Sequence, residues 1–247
     1  MSLSTKSRQQ SRSERAAAAL REQKVRERRR KVLISAAVAA VLALVVVVGV
    51  LVQGDRDTTG TAATKPAGAT DNYSLAFGPP DAPHSVVIYE DFLCPYCGDL
   101  EAETRTDLEK LSENGQVRVE YRPFDLLSRY GDYSARATNA FAVVLDTAGP
   151  EVAKDFHDLL FERQPKEGAS YPSNDDLVDL AVEAGADEAE VREPIEEGAF
   201  DQWVENATDA ASREGITGTP TVLVDGEVFT DGDTVEELAD NLVAAVK

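Results

Sequence analysis

A run of 21 residues without a single charge, residues 32–52, divides the chain into two parts. Its one polar side chain is Ser35, and the rest is mainly Val, Ala and Leu. As a helix the run would extend about 30 Å, which is the thickness of the hydrocarbon core of a bilayer. The sequence therefore predicts one transmembrane helix here, and the parts before and after it have to be considered separately.

The two parts differ strongly in charge. Residues 1–31 contain 11 Lys or Arg and 3 Glu, whereas residues 32–247 contain 14 basic and 42 acidic residues. Basic flanks stay in the cytoplasm, so residues 1–31 are predicted to be a cytoplasmic tail and the chain after the span to be extracytoplasmic. Glu14, Glu22 and Glu27 interrupt the basic segment, which favours an ordinary juxtamembrane tail and no nucleic-acid partner. This predicts a single-pass protein of the cell membrane.

A cleavable signal peptide is the alternative interpretation of the N-terminus. A charged segment before an apolar run fits both a signal peptide and a signal anchor, but this run exceeds the usual ~7–15 apolar residues of a signal peptide. We therefore expect an anchor. Residues 53–79, rich in Gly, Ala, Thr, Asp and Pro, are predicted to form a flexible linker, and residues 80–247 one globular domain.

The domain begins with an alternation of strand and helix patterns. Residues 85–92 and 116–121 are predicted strands, and the helix that begins at Pro95 connects them as a parallel βαβ unit. Helical patterns over residues 135–145, 152–161, 175–184 and 200–213 form an insertion. Predicted strands at 221–224 and 227–230 flank an Asp225-Gly226 turn, and a helix over 235–246 follows. These elements predict an α/β domain with one mixed sheet and a helical insertion.

The two cysteines of the chain form a Cys94-Pro95-Tyr96-Cys97 motif at the junction of the first predicted strand and helix. A thiolate at a helix N-terminus is stabilised by unpaired backbone N–H groups and by the helix dipole. Pro95 loses no hydrogen bond there. The i, i+3 spacing puts both sulfur atoms on one helix face, with Cys94 expected to be exposed and Cys97 to lie beneath it. The motif predicts a redox-active pair.

Three other roles for the motif compete with a redox pair. A structural disulfide gains little, because so short a loop restricts the unfolded chain only slightly. A zinc site needs four ligands, and His84 and His157 do not supply a second pair at ligand spacing, so no metal site is predicted. Binding of Cu(I) by the two thiolates stays open, because soft copper favours thiolate ligands.

The domain resembles the DsbA-like oxidoreductases of the thioredoxin-fold superfamily over residues 80–247. The resemblance rests on the DF-x-CPYC stretch at 91–97, the YRPF strand end at 121–124, the helical insertion, and the GTPT turn at 218–221. It implies a thioredoxin-like mixed sheet with a helical insertion, here preceded by one transmembrane helix.

The resemblance also implies roles for the motif residues. Cys94 would be the attacking thiol and Cys97 the resolving thiol, while Thr219 would precede a cis-proline at Pro220. The residues expected to contact the substrate are Pro95, Tyr96, Thr219 and Pro220. Many relatives carry a buried acid six residues before the first cysteine. Ile88 stands at that position here, and Glu90 and Asp91 are the nearer acids. We expect His84 and His157 to be structural.

These features predict a thiol:disulfide oxidoreductase that introduces disulfides into exported, cysteine-containing polypeptides. Disulfide exchange of this kind is expected to need no cofactor. The resemblance implies reoxidation by a membrane quinone-linked partner of DsbB or VKOR type. The alternatives are an extracytoplasmic reductase or isomerase, which runs the same exchange in the other direction, and a copper-handling module on the same scaffold.

Overall fold

The strand that leads into the cysteine motif is the central strand of a five-stranded mixed sheet in a computed structural model, which describes residues 62–247. The strands are β1 (Leu75–Phe77), β2 (His84–Glu90), β3 (Val117–Pro123), β4 (Thr221–Val224) and β5 (Glu227–Val228). Their order across the sheet is β1-β3-β2-β4-β5. Strand β2 pairs in parallel with β3 and antiparallel with β4, which confirms the predicted βαβ unit.

Seven α-helices cover the sheet and form the insertion within the described residues. They are α1 (Pro95–Glu113), α2 (Tyr133–Thr147), α3 (Gly149–Glu162), α4 (Asn174–Glu183), α5 (Glu188–Glu197), α6 (Asp201–Arg213) and α7 (Val235–Ala245). A 3₁₀ turn at Ser128–Tyr130 precedes α2. Helices α2 to α6 make up the predicted insertion between β3 and β4, and all of them except α5 were predicted. None of the helices in the described range combines the length and the apolar composition that crossing a membrane requires.

The described residues form two large hydrophobic cores and a small third one of Tyr89, Phe124 and Ala211. The first packs the sheet against α1 and α7, and it includes Val86, Ile88, Leu100, Leu108, Val119 and Leu242. The second fills the insertion, and it includes Phe141, Phe156, Leu160, Leu177, Trp203 and, from the sheet side, Phe92. Both cysteines belong to the second core. The insertion therefore packs directly on the redox motif.

The predicted hairpin after the insertion is confirmed. Asp225 and Gly226 have φ angles of 51° and 84°, the two positive values that a type I′ turn requires. The second strand is shorter than predicted, because β5 ends at Val228. The patterns for helices α2, α3, α4, α6 and α7 match the structure to within a few residues at each end.

Two elements were missed. Helix α5 buries only Val191 and Ile195, so its sequence shows hardly any apolar period, and Pro194 inside it reads as a helix breaker. Strand β1 is only three residues long and lies in a segment rich in turn-forming residues. It pairs antiparallel with β3, with Leu75 opposite Tyr121. A long-range partner, which no local pattern reveals, makes this segment a strand.

The predicted boundary at residue 80 was too late. Ala63 packs against the insertion core, and the backbone N–H of Ala67 donates to Asp146 in α2. Leu75 is fully buried. Residues 63–79 are thus part of the folded domain, although their small side chains suggested a linker. The predicted cytoplasmic tail at 1–31, the predicted span at 32–52 and residues 53–61 of the predicted linker lie outside the described residues.

Candidate active site

The cysteine motif sits where β2 ends and α1 begins. Cys94 is the N-cap residue of α1, in an extended conformation, and Pro95 occupies the first helical turn. The carbonyl oxygen of Cys94 accepts backbone hydrogen bonds from Cys97 and Gly98 at 3.0 and 3.3 Å. Both cysteines are free thiols. The structure therefore places the pair at a helix N-terminus, as the sequence predicted.

The exposure of the motif differs from the expectation. Cys94 is 5% exposed and Cys97 is 2% exposed, so the insertion buries both, whereas Cys94 was predicted to be exposed. Tyr96 is the prominent exposed side chain of the motif, at 61%, and Pro95 is also exposed. The exposed surface of the motif is thus formed by Pro95 and Tyr96, next to the buried Cys94, and their contact with a substrate stays a prediction.

The surroundings of Cys94 stabilise its thiolate. A hydrogen bond from the Cys97 thiol is the largest influence and lowers the pKa of Cys94, while burial opposes it. Thr219, whose buried hydroxyl makes no hydrogen bond within the described residues, and the backbone N–H groups of Cys97 and Tyr96 lower the pKa further. The resulting pKa of Cys94 is about 6. Cys94 is therefore mostly a thiolate at neutral pH.

Cys97 has the opposite character. Burial raises the pKa of the Cys97 thiol well above its usual value, and the hydrogen bond to Cys94, the Cys94 charge and the nearby Glu90 carboxylate raise it further. The two thiols thus differ strongly in acidity although only two residues separate them. This asymmetry is what an attacking and a resolving thiol require.

The loop before β4 contributes the second half of the site. The peptide bond between Thr219 and Pro220 is cis, as the resemblance implied. The Cys94 thiol contacts the carbonyl oxygen of Thr219 with an Sγ to O distance of 3.3 Å. Both loop residues are half-buried. The structure therefore brings four predicted site residues together, and the contribution of Thr219 and Pro220 to substrate binding stays a prediction.

Asp91 organises the turn that leads into the motif. Its fully buried carboxylate accepts four hydrogen bonds, from the backbone N–H groups of Leu93, Leu126 and Leu127 and from the hydroxyl of Ser134, at 2.6 to 2.9 Å. Burial raises the pKa of Asp91, and these bonds partly offset that effect. Asp91 ties the end of β2 to the loop after β3 and to the first turn of α2.

A buried network of charges lies beside Cys97. The imidazole of His157, in α3, contacts Glu90 through Nε2 at 2.7 Å and Asp158 through Nδ1 at 3.0 Å. Lys154 lies one turn earlier, with Nζ 3.2 Å from Glu101 and 2.6 Å from Asp158. Burial disfavours the charged imidazole, but the carboxylates of Glu90 and Glu101 outweigh it and raise the pKa of His157 to about 9. His157 is therefore a buried cation, which is consistent with the structural role expected for it.

The same network contains the one group of described side chains that is close enough together to hold a metal ion: Glu101, His157 and Asp158. The Lys154 ammonium already lies within 3.2 Å of both carboxylates. The Glu101 and Asp158 carboxylates are thus already paired with the Lys154 ammonium. We interpret it as a salt-bridge network.

Gln164 contacts the motif and was not singled out from the sequence. It follows α3, and its side-chain Nε2 donates to the carbonyl oxygens of Phe92 and Cys94 at 3.0 and 2.9 Å. About seventy residues separate Gln164 from the cysteines, so neither spacing nor composition connects them. The Glu90 to His157 pair was missed for the same reason.

Comparison with known proteins agrees with this geometry. A family model described as thioredoxin matches residues 70–243. Na⁺/H⁺ antiporter NhaA 1 of Salinispora arenicola is 30% identical over 171 residues, which cover 68% of this chain and 24% of the antiporter. This chain thus spans about a quarter of the length of that relative.

Two further relatives carry names that match the site. Disulfide bond formation protein D of Bacillus subtilis is 29% identical over 165 residues, covering 65% of this chain and 72% of that protein. The crystal structure of oxidised DsbA from Mycobacterium tuberculosis is 28% identical, with a TM-score of 0.57, and the match covers 70% of this chain and all of that one. This chain belongs to the thioredoxin family, and within it to the DsbA-like thiol:disulfide oxidoreductases.

Proposed function

We propose that the domain introduces disulfide bonds into exported polypeptides through the Cys94 and Cys97 pair. The observation that carries the proposal is the difference in acidity between the two thiols. A stabilised Cys94 thiolate favours the reduced pair over the disulfide, and a disulfide whose reduced form is stabilised is an oxidant. The name of the Bacillus subtilis relative, a disulfide bond formation protein, supports the same direction.

The exchange proceeds in two steps. A substrate thiolate attacks Sγ of Cys94 in the disulfide form, the bond between Cys94 and Cys97 breaks, and Cys97 leaves as a thiolate that takes up a proton because its pKa is high. A second substrate thiolate then attacks the substrate sulfur of the mixed disulfide. The substrate disulfide forms, Cys94 leaves as a stable thiolate, and two electrons have passed to the pair.

The surface around Cys94 suits an unfolded substrate segment. Tyr96 is exposed two residues after the buried Cys94, and the half-buried Thr219 and Pro220 belong to the loop whose carbonyl oxygen contacts the Cys94 sulfur. An extended peptide could contact this loop with its backbone while one cysteine reaches Cys94. Reoxidation requires an electron acceptor, for which we propose a membrane quinone-linked protein of DsbB or VKOR type.

Refolding of a reduced substrate tests the direction of the exchange. The full-length chain, solubilised in detergent and oxidised, is mixed with reduced, unfolded ribonuclease in a glutathione buffer. We expect ribonuclease activity to return faster than in buffer alone, and a Cys94→Ser variant to lose the acceleration. A wild-type protein that reduces insulin disulfides but does not accelerate ribonuclease oxidation would establish the reductase alternative instead.

The location of the domain is part of the same proposal. The uncharged run at 32–52 after a basic flank supports a single membrane anchor with the domain outside the cytoplasm. Protease added to spheroplasts should digest residues 63–247 and leave a cytoplasmic marker protein intact. Protection of the domain until the membrane is dissolved would contradict this topology.

A further inference from the structure

Gln164 joins the helical insertion to the redox motif through one side-chain amide. The two N–H bonds of that amide point to two different carbonyl oxygens, those of Phe92 and Cys94, at 3.0 and 2.9 Å. Phe92 lies in the turn after β2, and Cys94 is the N-cap of α1. One side chain therefore holds both ends of the three-residue segment that carries the attacking sulfur.

The position of Gln164 is itself fixed by the insertion. Its backbone N–H donates to the carbonyl oxygen of Phe161 at the end of α3, and Phe161 is buried against Phe92 with ring centroids 5.1 Å apart. Gln164 is half-buried, so its amide is partly withdrawn from water. A hydrogen bond in such a position depends on the insertion being in place.

Gly98 leaves room for this amide. A Cβ atom at Gly98 would lie 2.9 Å from Oε1 of Gln164, which is closer than side-chain carbons approach such atoms. The backbone of Gly98 has no conformation that requires glycine, because its φ is not in the left-handed region. A side chain at position 98 would therefore require the Gln164 amide to move, whereas the helix itself would favour alanine over glycine by roughly 1 kcal/mol.

We propose that Gln164 is a positioning residue that holds the Cys94 turn in the geometry that favours the reactive thiolate. The inference rests on the proposed thiol:disulfide exchange and assigns to the insertion a direct part in it. The carbonyl of Cys94 already accepts the N–H groups of Cys97 and Gly98. The Gln164 amide adds two donors that turn the carbonyl dipoles of Phe92 and Cys94 toward itself. Its loss would leave Cys94 free to move from its contacts with Cys97 and Thr219.

Gln164→Met tests the proposal, because methionine has nearly the same shape and lacks the N–H donors. In the full-length chain in detergent, thiolate absorbance against pH reports the titration of Cys94, and equilibration with glutathione reports the redox equilibrium. We expect the pKa of Cys94 to rise by about half a unit to one unit. The equilibrium should shift by about three- to tenfold toward the disulfide, and tenfold corresponds to ~30 mV. Gln202→Ala, a half-buried glutamine that contacts Glu205 and Asn206, is the control and should leave both readouts unchanged.

Gly98→Ala gives an independent test if Gln164→Met fails to fold. The added methyl group should displace the amide and shift both readouts in the same direction, while the loss of two hydrogen bonds and the gain in helix propensity should leave thermal stability roughly unchanged. In the double variant the alanine should add nothing, because the amide it displaces is already gone. The proposal would be overturned if Gln164→Met had the wild-type pKa of Cys94 and the wild-type redox equilibrium with glutathione. It would also be overturned if the two substitutions changed these readouts additively in the double variant. A wild-type chain without exchange activity would contradict the proposed function but would leave the pKa comparison intact.

Discussion

Nε2 of His157 lies 2.7 Å from Oε1 of Glu90, although 67 residues separate the two in the sequence. His157 is fully buried and Glu90 is 2% exposed, so water screens the pair very little. Glu90 is the last residue of β2, four residues before Cys94, and His157 lies in α3. The pair therefore fixes the insertion to the strand that carries the redox motif.

The first prediction concerns the pH dependence of stability. The pKa of His157 is raised from 6.5 to about 9, so the protonated imidazole stabilises the fold fully below about pH 6.5, and this contribution is lost as the pH rises through about 9. The free energy of unfolding, measured with urea, should fall by up to ~3 kcal/mol across this window. Glu90→Gln removes the carboxylate charge that raises the pKa of His157 most. The free energy of unfolding of this variant should therefore fall less between pH 6.5 and pH 9. A wild-type protein equally stable at pH 6 and pH 9.5 would contradict the prediction.

The second prediction concerns the reactivity of the thiols. The thiolate fraction of Cys94 should rise with pH around a midpoint of about 6, so alkylation of the reduced protein should occur first at Cys94 even below neutral pH. Mass spectrometry of peptides after short exposure to iodoacetamide identifies the labelled cysteine. Equal and slow labelling of Cys94 and Cys97 would count against a catalytic pair.

The third prediction separates the influence of the Cys97 thiol from that of the helix. Because the hydrogen bond from Cys97 lowers the pKa of Cys94 most, Cys97→Ala should move the alkylation midpoint of Cys94 upward from about 6. Cys97→Ser keeps a donor at this place and should show a smaller shift. The alanine variant should also accumulate mixed disulfides with substrates at Cys94, because no resolving thiol is left. An unchanged midpoint in both variants would assign the low pKa to the helix N-terminus and Thr219 and not to the Cys97 thiol.

The fourth prediction concerns Asp91. Asp91→Ala leaves three backbone N–H groups and the Ser134 hydroxyl without their acceptor, and should lower the free energy of unfolding by roughly 3 kcal/mol or more. Ser134→Ala removes one of the four bonds and should cost about 1 kcal/mol. Urea denaturation at pH 7 measures both values. Equal losses in the two variants would show that Asp91 does not organise this turn.

The fifth prediction is the redox potential of the pair. Stabilisation of the Cys94 thiolate raises the potential, but Tyr96 brings no positive charge to the motif. Equilibration with glutathione should therefore give a value above about −200 mV and below the approximately −120 mV of DsbA. A value near the approximately −270 mV of thioredoxin would favour the reductase alternative.

The parts of the site that could be predicted from the sequence are those that local chemistry determines. Cys94 and Cys97 follow an apolar β-rich run and open a helix, and Asp225-Gly226 between two short apolar runs specifies a hairpin. The burial of Cys94 was not predictable, because the insertion that covers it begins some forty residues later. Gln164, Glu90 and His157 act through contacts between distant segments, and each would be an unremarkable polar residue in its own segment.

Strand β1 and the packing of Ala63 have a consequence for how the domain would search for its partners. If the chain is anchored by residues 32–52, at most residues 53–62 lie between the anchor and the folded domain, which is 10 residues in place of the 27 of the predicted linker at 53–79. Ten residues span at most about 35 Å when fully extended, against about 95 Å for 27 residues. Such an anchor would hold Cys94 close to the membrane surface, and both substrates and a reoxidant would have to reach it there.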